Sequence, residues 1–120
     1  MSCYFDSLSQ FFHVNSNVLR QEICNYLAMN KPIMEDIETN DLLTILDEGY
    51  VERMRRSETW AGGIEISATC NLWGVTVVVH SNRAKPIVFQ PMNKTSKYII
   101  NLFWTGNHYE PLLRRSSGGV

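Results

Sequence analysis

The sequence predicts an α+β (mixed α/β) domain with a central β-sheet flanked by helices, and three observations lead to this prediction. The first half of the chain places apolar residues at helical spacing, whereas the part after Gly74 consists of short runs rich in β-branched and aromatic residues. One of these runs, residues 75–80, is apolar enough to be a buried central strand. Helices that precede strands are typical of α+β folds or of a mixed sheet covered by helices.

Five helical segments are predicted before Gly74. The sequence signals are apolar periodicity, polar residues suited to N-caps, and glycine or proline where each helix should end. The segments are residues 4–12; a helix capped by Asn15 or Ser16 that continues to Leu27; a helix capped by Asn40 or Asp41 that continues to Leu46; one or two turns at 50–54; and residues 65–72.

Four strands are predicted in the second half, at residues 75–80, 87–89, 98–104 and 108–113. Pro111 cannot donate a hydrogen bond to a sheet ladder, so the last strand should be short or lie at a sheet edge. Side chains alternate along a strand, which places His108 and Glu110 on the same face. Residues 1–113 are interpreted as one domain and residues 114–120 as a flexible tail.

Composition excludes several function classes. The 120 residues suit a single domain, and a net charge of -1 does not favour nucleic-acid binding. No apolar run approaches the roughly 18 residues of a membrane span, and no signal peptide is recognisable. An odd number of irregularly spaced cysteines indicates a reducing compartment. We therefore expect an intracellular monomer, in the cytoplasm or nucleus or in a host cell.

Cys3, His108 and Glu110 are the candidate catalytic residues. Cys3 opens a predicted helix, where the positive end of the helix dipole favours a thiolate. A histidine brought beside it by folding could take the thiol proton and later protonate a leaving amine. Glu110 could fix the tautomer of the His108 ring and stabilise its charged form. Each of these residues also has a plain alternative: a buried apolar cysteine, a surface histidine and an ordinary strand glutamate.

The other thiols and imidazoles fit structural roles. Cys24 and Cys70 lie in apolar helical patterns and are predicted to pack in the core, and His13 and His80 are predicted at a helix end and a strand end. No cysteine or histidine pair has Cys-x-x-Cys or His-x-x-x-His spacing, so no metal site is expected.

Three blocks of sequence occur in an order that resembles a known family. They are Cys3-Tyr4-Phe5 with Ser7-Leu8; Tyr50-Val51-Glu52-Arg53-Met54 with Trp60-Ala61-Gly62-Gly63-Ile64-Glu65-Ile66-Ser67-Ala68; and His108-Tyr109-Glu110. The set resembles the ovarian-tumour (OTU) cysteine proteases over residues 1 to about 113. In that family the blocks have the forms Asp-Gly-x-Cys-Leu-Phe, Tyr-Val-x-x-Met with Trp-Gly-Gly-x-x-Glu-Leu, and His-Tyr-Asp or His-Tyr-Asn.

The resemblance implies an OTU-like cysteine protease fold and a deubiquitinase. Such an enzyme hydrolyses the bond after the C-terminal Gly-Gly of ubiquitin, or of a ubiquitin-like protein, through a thioester and without a metal or cofactor. It implies that Cys3 is the nucleophile, His108 the general base and acid, and Glu110 the orienting residue. The Cys3 N–H and neighbouring loop amides would form the oxyanion hole, and ubiquitin and its conjugates would be the partners.

The sequence departs from the family pattern at three places. The Asp-Gly before the nucleophile is absent, so either the protein extends further toward its N-terminus or the site is impaired. Glu110 stands where Asp or Asn is usual, and Ala61 replaces a glycine, which requires a negative φ. Two alternatives stay open: a ubiquitin- or protein-binding module that does not cut, and a protease that processes a viral polyprotein.

Overall fold

The computed structural model describes residues 3–113, so the tail predicted at 114–120 lies outside the described residues. Within that range there are five helices and four strands: α1 (Cys3–Phe12), α2 (Ser16–Ala28), α3 (Thr39–Leu46), α4 (Tyr50–Met54), α5 (Gly63–Trp73), β1 (Thr76–His80), β2 (Ile87–Phe89), β3 (Ile99–Trp104) and β4 (Tyr109–Pro111). The chain folds as predicted, a mixed α+β domain with helices before strands.

The four strands form one mixed sheet in the order β2-β1-β3-β4. β1 pairs in parallel with β3, while β2 and β4 pair antiparallel with β1 and β3 respectively. The run predicted as a central strand is therefore an inner strand, and the proline-containing strand lies at an edge, as predicted. Its register pairs Trp104 with Tyr109 and Phe103 with Glu110.

Helices cover one face of the sheet and the edge formed by β4. The buried core joins residues of α1, α2, α3 and α5 to the inward side of β1 and β3; it contains Val77, Ile100 and Leu102 of these strands and Val75, which immediately precedes β1. The opposite face of the sheet is open and carries a groove of about 760 Å³ lined by Phe11, Val78, His80, Tyr98, Ile99, Asn101 and Leu112.

Two helix starts differ from the sequence prediction. Asn15 caps α2 as predicted, with its side-chain oxygen accepting from the N–H groups of Asn17 and Val18. The predicted cap at Asn40 or Asp41 is wrong, because α3 already begins at Thr39 after Glu38. The side chain of Asn30 accepts from the Asn40 N–H at 2.7 Å, so a neighbouring segment replaces the local cap. α5 begins at Gly63, two residues before the predicted start.

A buried arginine joins α1 and α2 to the segment that follows α4. Arg20 is 1% exposed, and its guanidinium donates to the carbonyls of Met54 at 2.6 Å, Ser57 at 3.2 Å and Thr59 at 3.0 Å. Its carbon lies 4.5 Å from the centre of the Phe5 ring, a cation–π distance. Burial lowers the pKa of Arg20 below its ordinary value. The Arg20 side chain thus donates hydrogen bonds to three carbonyls and packs against Phe5 of α1.

Replacing Arg20 by methionine should lower the free energy of unfolding by about 2–4 kcal/mol, because three carbonyls lose a charged donor. Urea unfolding of the Arg20→Met protein measures this loss. Arg56→Met is the matched control, since Arg56 is exposed on the same connecting segment; its effect should stay within about 0.5 kcal/mol. Equal losses of unfolding free energy in the two variants would contradict a specific stabilising role for Arg20.

Candidate active site

Cys3 is the first residue of α1 and lies beside the last strand of the sheet. It is partly exposed and lines a groove of about 280 Å³ together with Tyr109, Glu110 and Pro111 of β4 and with Asp6, Ser7 and Gln10 of α1. Residues from the two ends of the chain therefore share one surface groove.

Two side chains of α1 hold the helix against β4. The Ser7 hydroxyl donates to the carbonyl of Tyr109 at 3.3 Å, and the rings of Tyr4 and Tyr109 make an edge contact with centroids 5.5 Å apart. Ser7 follows Cys3 by four residues, so both lie on the same side of the helix. The contact sets the distance between the N-terminus of α1 and the residues of β4.

α5 supports this contact from behind. Tyr4 is buried, its hydroxyl lies 2.7 Å from Oγ1 of Thr69, and burial raises the Tyr4 pKa well above its ordinary value of 10.0. At the start of α5 the Glu65 carboxylate accepts from the Gly62 N–H at 2.7 Å and from the Tyr50 hydroxyl at 2.6 Å. Burial raises the Glu65 pKa above 4.5, although these two donors oppose the shift.

His108 and Glu110 are in direct contact, on the shared face that alternation predicts. Nε2 of His108 lies 2.9 Å from Oε2 of Glu110, with 44% and 53% of the two side chains exposed. A histidine–carboxylate contact as exposed as this contributes about 0–1 kcal/mol to stability even when the ring is charged, so its main effect is on the orientation of the ring.

The second nitrogen of the His108 ring faces the turn between β3 and β4. Nδ1 lies 3.1 Å from Oδ1 of Asn107 and 3.1 Å from Oγ1 of Thr105. No hydrogen bond links the His108 ring to Cys3 in the part of the chain that is described. Cys3 and Glu110 thus line the same groove, and Glu110 is hydrogen-bonded to His108. The imidazole of His108, however, is not hydrogen-bonded to the thiol of Cys3.

The remaining cysteines lie in the core, as predicted. Cys24 and Cys70 are 0% exposed. Burial raises the pKa of each thiol to about 11, and the Cys70 thiol donates to the Phe89 carbonyl at 3.3 Å. Neither thiol is accessible to a substrate or readily ionised, which leaves Cys3 as the candidate nucleophile.

Residues 3–113 contain no group of three or more histidine, cysteine, aspartate or glutamate side chains placed to hold a metal ion. Nor does any helix in that range have the length and apolar character needed to cross a bilayer.

Ala61, which stands where the family pattern has glycine, is not among the residues with positive φ, so its side chain is tolerated there.

Sequence reasoning missed several residues around this site. Neither the sequence patterns nor the family resemblance singles out Thr105, Asn107 or Arg20. Ser7 carried a signal that could have been used, since a hydroxyl one helical turn after the nucleophile lies on the same face. The contacts of Asn107 with the neighbouring ring depend on how the turn closes, which local sequence does not specify.

Comparison with known proteins gives a family match over most of the chain. A model of the OTU-like cysteine protease family matches residues 2–109. The chain is also similar to OVARIAN TUMOR DOMAIN-containing deubiquitinating enzyme 9 of Arabidopsis thaliana, with 24% identity over 117 residues that cover 92% of this chain. Those residues correspond to 32% of the plant protein, so the chain spans about a third of that relative's length.

Solved OTU structures share the fold. The OTU domain of OTUD1 has a TM-score of 0.74 at 18% identity, covering 94% of this chain and 79% of that one. An OTU domain in complex with ubiquitin has a TM-score of 0.71 at 22% identity, covering 92% and 62%. An OTU deubiquitinase from Wolbachia pipientis wMel, bound to ubiquitin, has a TM-score of 0.70 at 18% identity, covering 96% and 91%. At these identities the likeness shows the fold alone.

Removal of the Ser7 hydroxyl should loosen the contact between α1 and β4. We expect Ser7→Ala to lower the free energy of unfolding by about 1 kcal/mol, because the Tyr109 carbonyl loses a donor. Ser9→Ala is the matched control on the same helix, and its effect should be within about 0.5 kcal/mol in urea unfolding. A Ser7→Ala protein as stable as the control would contradict the assigned hydrogen bond.

Glu65 should make stability depend on pH. Because its pKa is raised in the folded protein, the folded state binds a proton more tightly than the unfolded chain. The resulting stabilisation is present below the ordinary value of 4.5 and is lost as pH rises through the folded pKa. Glu65→Gln does not titrate, so the stability of the native protein relative to this variant should fall as pH rises above 4.5. Urea unfolding of both proteins at a series of pH values from 4.5 upward measures the difference, and a constant or rising difference would contradict this account.

Proposed function

The chain belongs to the OTU-like cysteine protease family, and on that basis we propose that it is a thiol-dependent deubiquitinase with Cys3 as its nucleophile. The observation that supports this proposal best is the shared groove, in which Cys3 at the start of α1 lies beside Glu110, the residue that contacts His108. Family membership supplies the reaction class, and the groove holds one thiol together with the Glu110 carboxylate that contacts the His108 imidazole.

The first half of the proposed reaction is acylation. His108 takes the proton of the Cys3 thiol, and the thiolate attacks the carbonyl carbon of the scissile bond, which becomes tetrahedral with a negative oxygen. When that centre collapses, the bond to nitrogen breaks and His108 delivers its proton to the leaving amine. The products of this half are the free amine and a thioester on Cys3.

The second half restores the thiol. A water molecule loses a proton to His108 and attacks the thioester carbonyl, and the carbon–sulfur bond breaks to release a carboxylic acid. His108 then returns the proton to the sulfur. Glu110, at Nε2, keeps the ring oriented and stabilises its charged form through both halves.

The start of α1 suits a negative oxygen. The first N–H groups of a helix have no partner within the helix, and they lie at the positive end of its dipole. Cys3 is the first residue of a ten-residue helix, so the helix supplies no carbonyl partner for its own N–H or for that of Tyr4. These donors support Cys3 as a nucleophile whose oxyanion is held by backbone groups.

Ubiquitin is the proposed substrate because two of the similar OTU structures were solved with ubiquitin bound. The plant relative is itself named a deubiquitinating enzyme. Cys3, Cys24 and Cys70 are free thiols, which suits the reducing interior of a cell. We place the proposed reaction in the cytoplasm or nucleus, and we propose that a single chain carries it out.

A non-cutting ubiquitin-binding module is the second candidate. It is favoured by the arrangement of His108, whose two ring nitrogens face Glu110 and the turn residues rather than Cys3. If this arrangement persisted when ubiquitin binds, the fold would recognise the modifier without cleaving it.

Ubiquitin that carries an electrophile in place of its C-terminal carboxylate distinguishes the two candidates. We expect the wild-type protein to form a covalent adduct at Cys3, and Cys3→Ala to form none. His108→Ala should slow adduct formation by about 10²–10⁴-fold, the range typical of a lost general base. Mass spectrometry locates the adduct and gives its rate.

His13→Asn is the control for the loss of an imidazole, because His13 follows the far end of α1, and its positive φ of 57° is one that asparagine also tolerates. Its rate should equal that of the wild type. Binding of unmodified ubiquitin without an adduct would favour the module, and an adduct that survives Cys3→Ala would overturn the assigned nucleophile.

A further inference from the structure

A closed set of hydrogen bonds in the turn between β3 and β4 plays no part in the reaction just described. Oγ1 of Thr105 lies 2.9 Å from Oδ1 of Asn107 and 3.1 Å from Nδ1 of His108. The same oxygen accepts from the backbone N–H of His108 at 3.2 Å. Oδ1 of Asn107 in turn lies 3.1 Å from Nδ1. The ring is therefore held at Nδ1 by two side chains of its own turn.

The chemistry of these partners fixes what Nδ1 can do. The amide oxygen of Asn107 can only accept from Nδ1, whereas the hydroxyl of Thr105 can donate to it or accept from it, so the tautomer of the ring sets the direction of these contacts. The carboxylate of Glu110 likewise can only accept from Nε2. In this arrangement both ring nitrogens face other partners and neither presents a lone pair to Cys3, although a general base must present one.

We propose that Asn107 and Thr105 are positioning residues that hold Nδ1 of His108 in the turn, so that the ring reaches Cys3 only when this contact is released. The inference rests on the proposed function for the roles of Cys3 and His108. Glu110 stays on Nε2 through the change, and Nδ1 exchanges the Asn107 oxygen for the thiol. The turn thus competes with the nucleophile for one ring nitrogen.

The competition predicts that weakening the turn makes Cys3 more reactive. A single hydrogen bond of this kind contributes a net amount that corresponds to roughly a five-fold change in equilibrium. Asn107→Ala should therefore raise the rate of Cys3 alkylation by iodoacetamide about five-fold at neutral pH. Asn107→Asp places a charged acceptor at Nδ1 and should lower the rate below that of the wild type. Mass spectrometry after timed quenching gives the rate at Cys3.

Two variants control for effects on the turn itself. Thr105→Ser keeps the hydroxyl and should leave the alkylation rate at the wild-type value. Asn93→Ala removes a similar side-chain contact, to the Thr95 N–H at 3.0 Å, in an exposed turn elsewhere, and it should also have no effect. In a His108→Ala background the effect of Asn107→Ala should vanish, because the inference acts only through the ring.

Each outcome either supports or contradicts the inference about Asn107 and Thr105. An Asn107→Ala rate equal to or below that of the wild type overturns the inference, as does an effect that persists without the His108 ring. Iodoacetamide needs no ubiquitin, so this test is separate from the proposed activity. If ubiquitin forms an adduct at Cys3 but the Asn107 series fails, the inference alone is wrong. If the series succeeds and ubiquitin forms no adduct, the proposed activity alone is wrong.

Discussion

The packing of α1 on the edge strand β4 is the constraint on which the candidate site depends. Cys3 is the first described residue and Glu110 lies three residues before the end of the described range, so only tertiary contact can bring them together. The Ser7 hydrogen bond to the Tyr109 carbonyl and the edge contact of the Tyr4 and Tyr109 rings make that contact. Because α1 covers β4, it also protects a sheet edge that would otherwise expose unpaired backbone groups. The same contact therefore covers one edge of the sheet and brings together the residues that line the groove.

The rest of the domain keeps α1 in this place. The guanidinium of Arg20 packs on the Phe5 ring of α1 and donates a hydrogen bond to the carbonyl at the end of α4. The hydroxyl of Thr69 in α5 contacts the buried hydroxyl of Tyr4. Both arrangements bury polar groups with their partners satisfied, which makes alternative packings costly because they would leave a charge or a carbonyl unpaired. Glu65, at the start of α5, adds a buried carboxylate with two donors. The site is thus supported by residues that never touch it.

Much of this architecture could be predicted from local sequence, and the failures have physical reasons. Apolar periodicity located the helices, and the β-branched run that contains Val77 identified an inner strand because such residues pack well on a pleated sheet between neighbouring strands. Alternation placed His108 and Glu110 on one face. The cap of α3 was missed because Asn30, ten residues away, supplies it. The turn contacts of Asn107 were missed for a related reason: nearby residues can hydrogen-bond in several ways, and the packing of the strands selects one.

The energies of the contacts at the site suit the role that we propose for the ring of His108 as a point of control. Its contact with Glu110 is exposed and contributes about 0–1 kcal/mol, and each neutral hydrogen bond to the turn contributes about 0.5–1.5 kcal/mol. The scaffold contacts of Arg20 and Tyr4 are buried, and breaking them costs more. A partner that binds across the groove can therefore supply enough free energy to move the imidazole without disturbing the helix that presents Cys3. Rigidity in α1 and β4 together with a weakly held ring would let recognition of the substrate precede activation of the thiol.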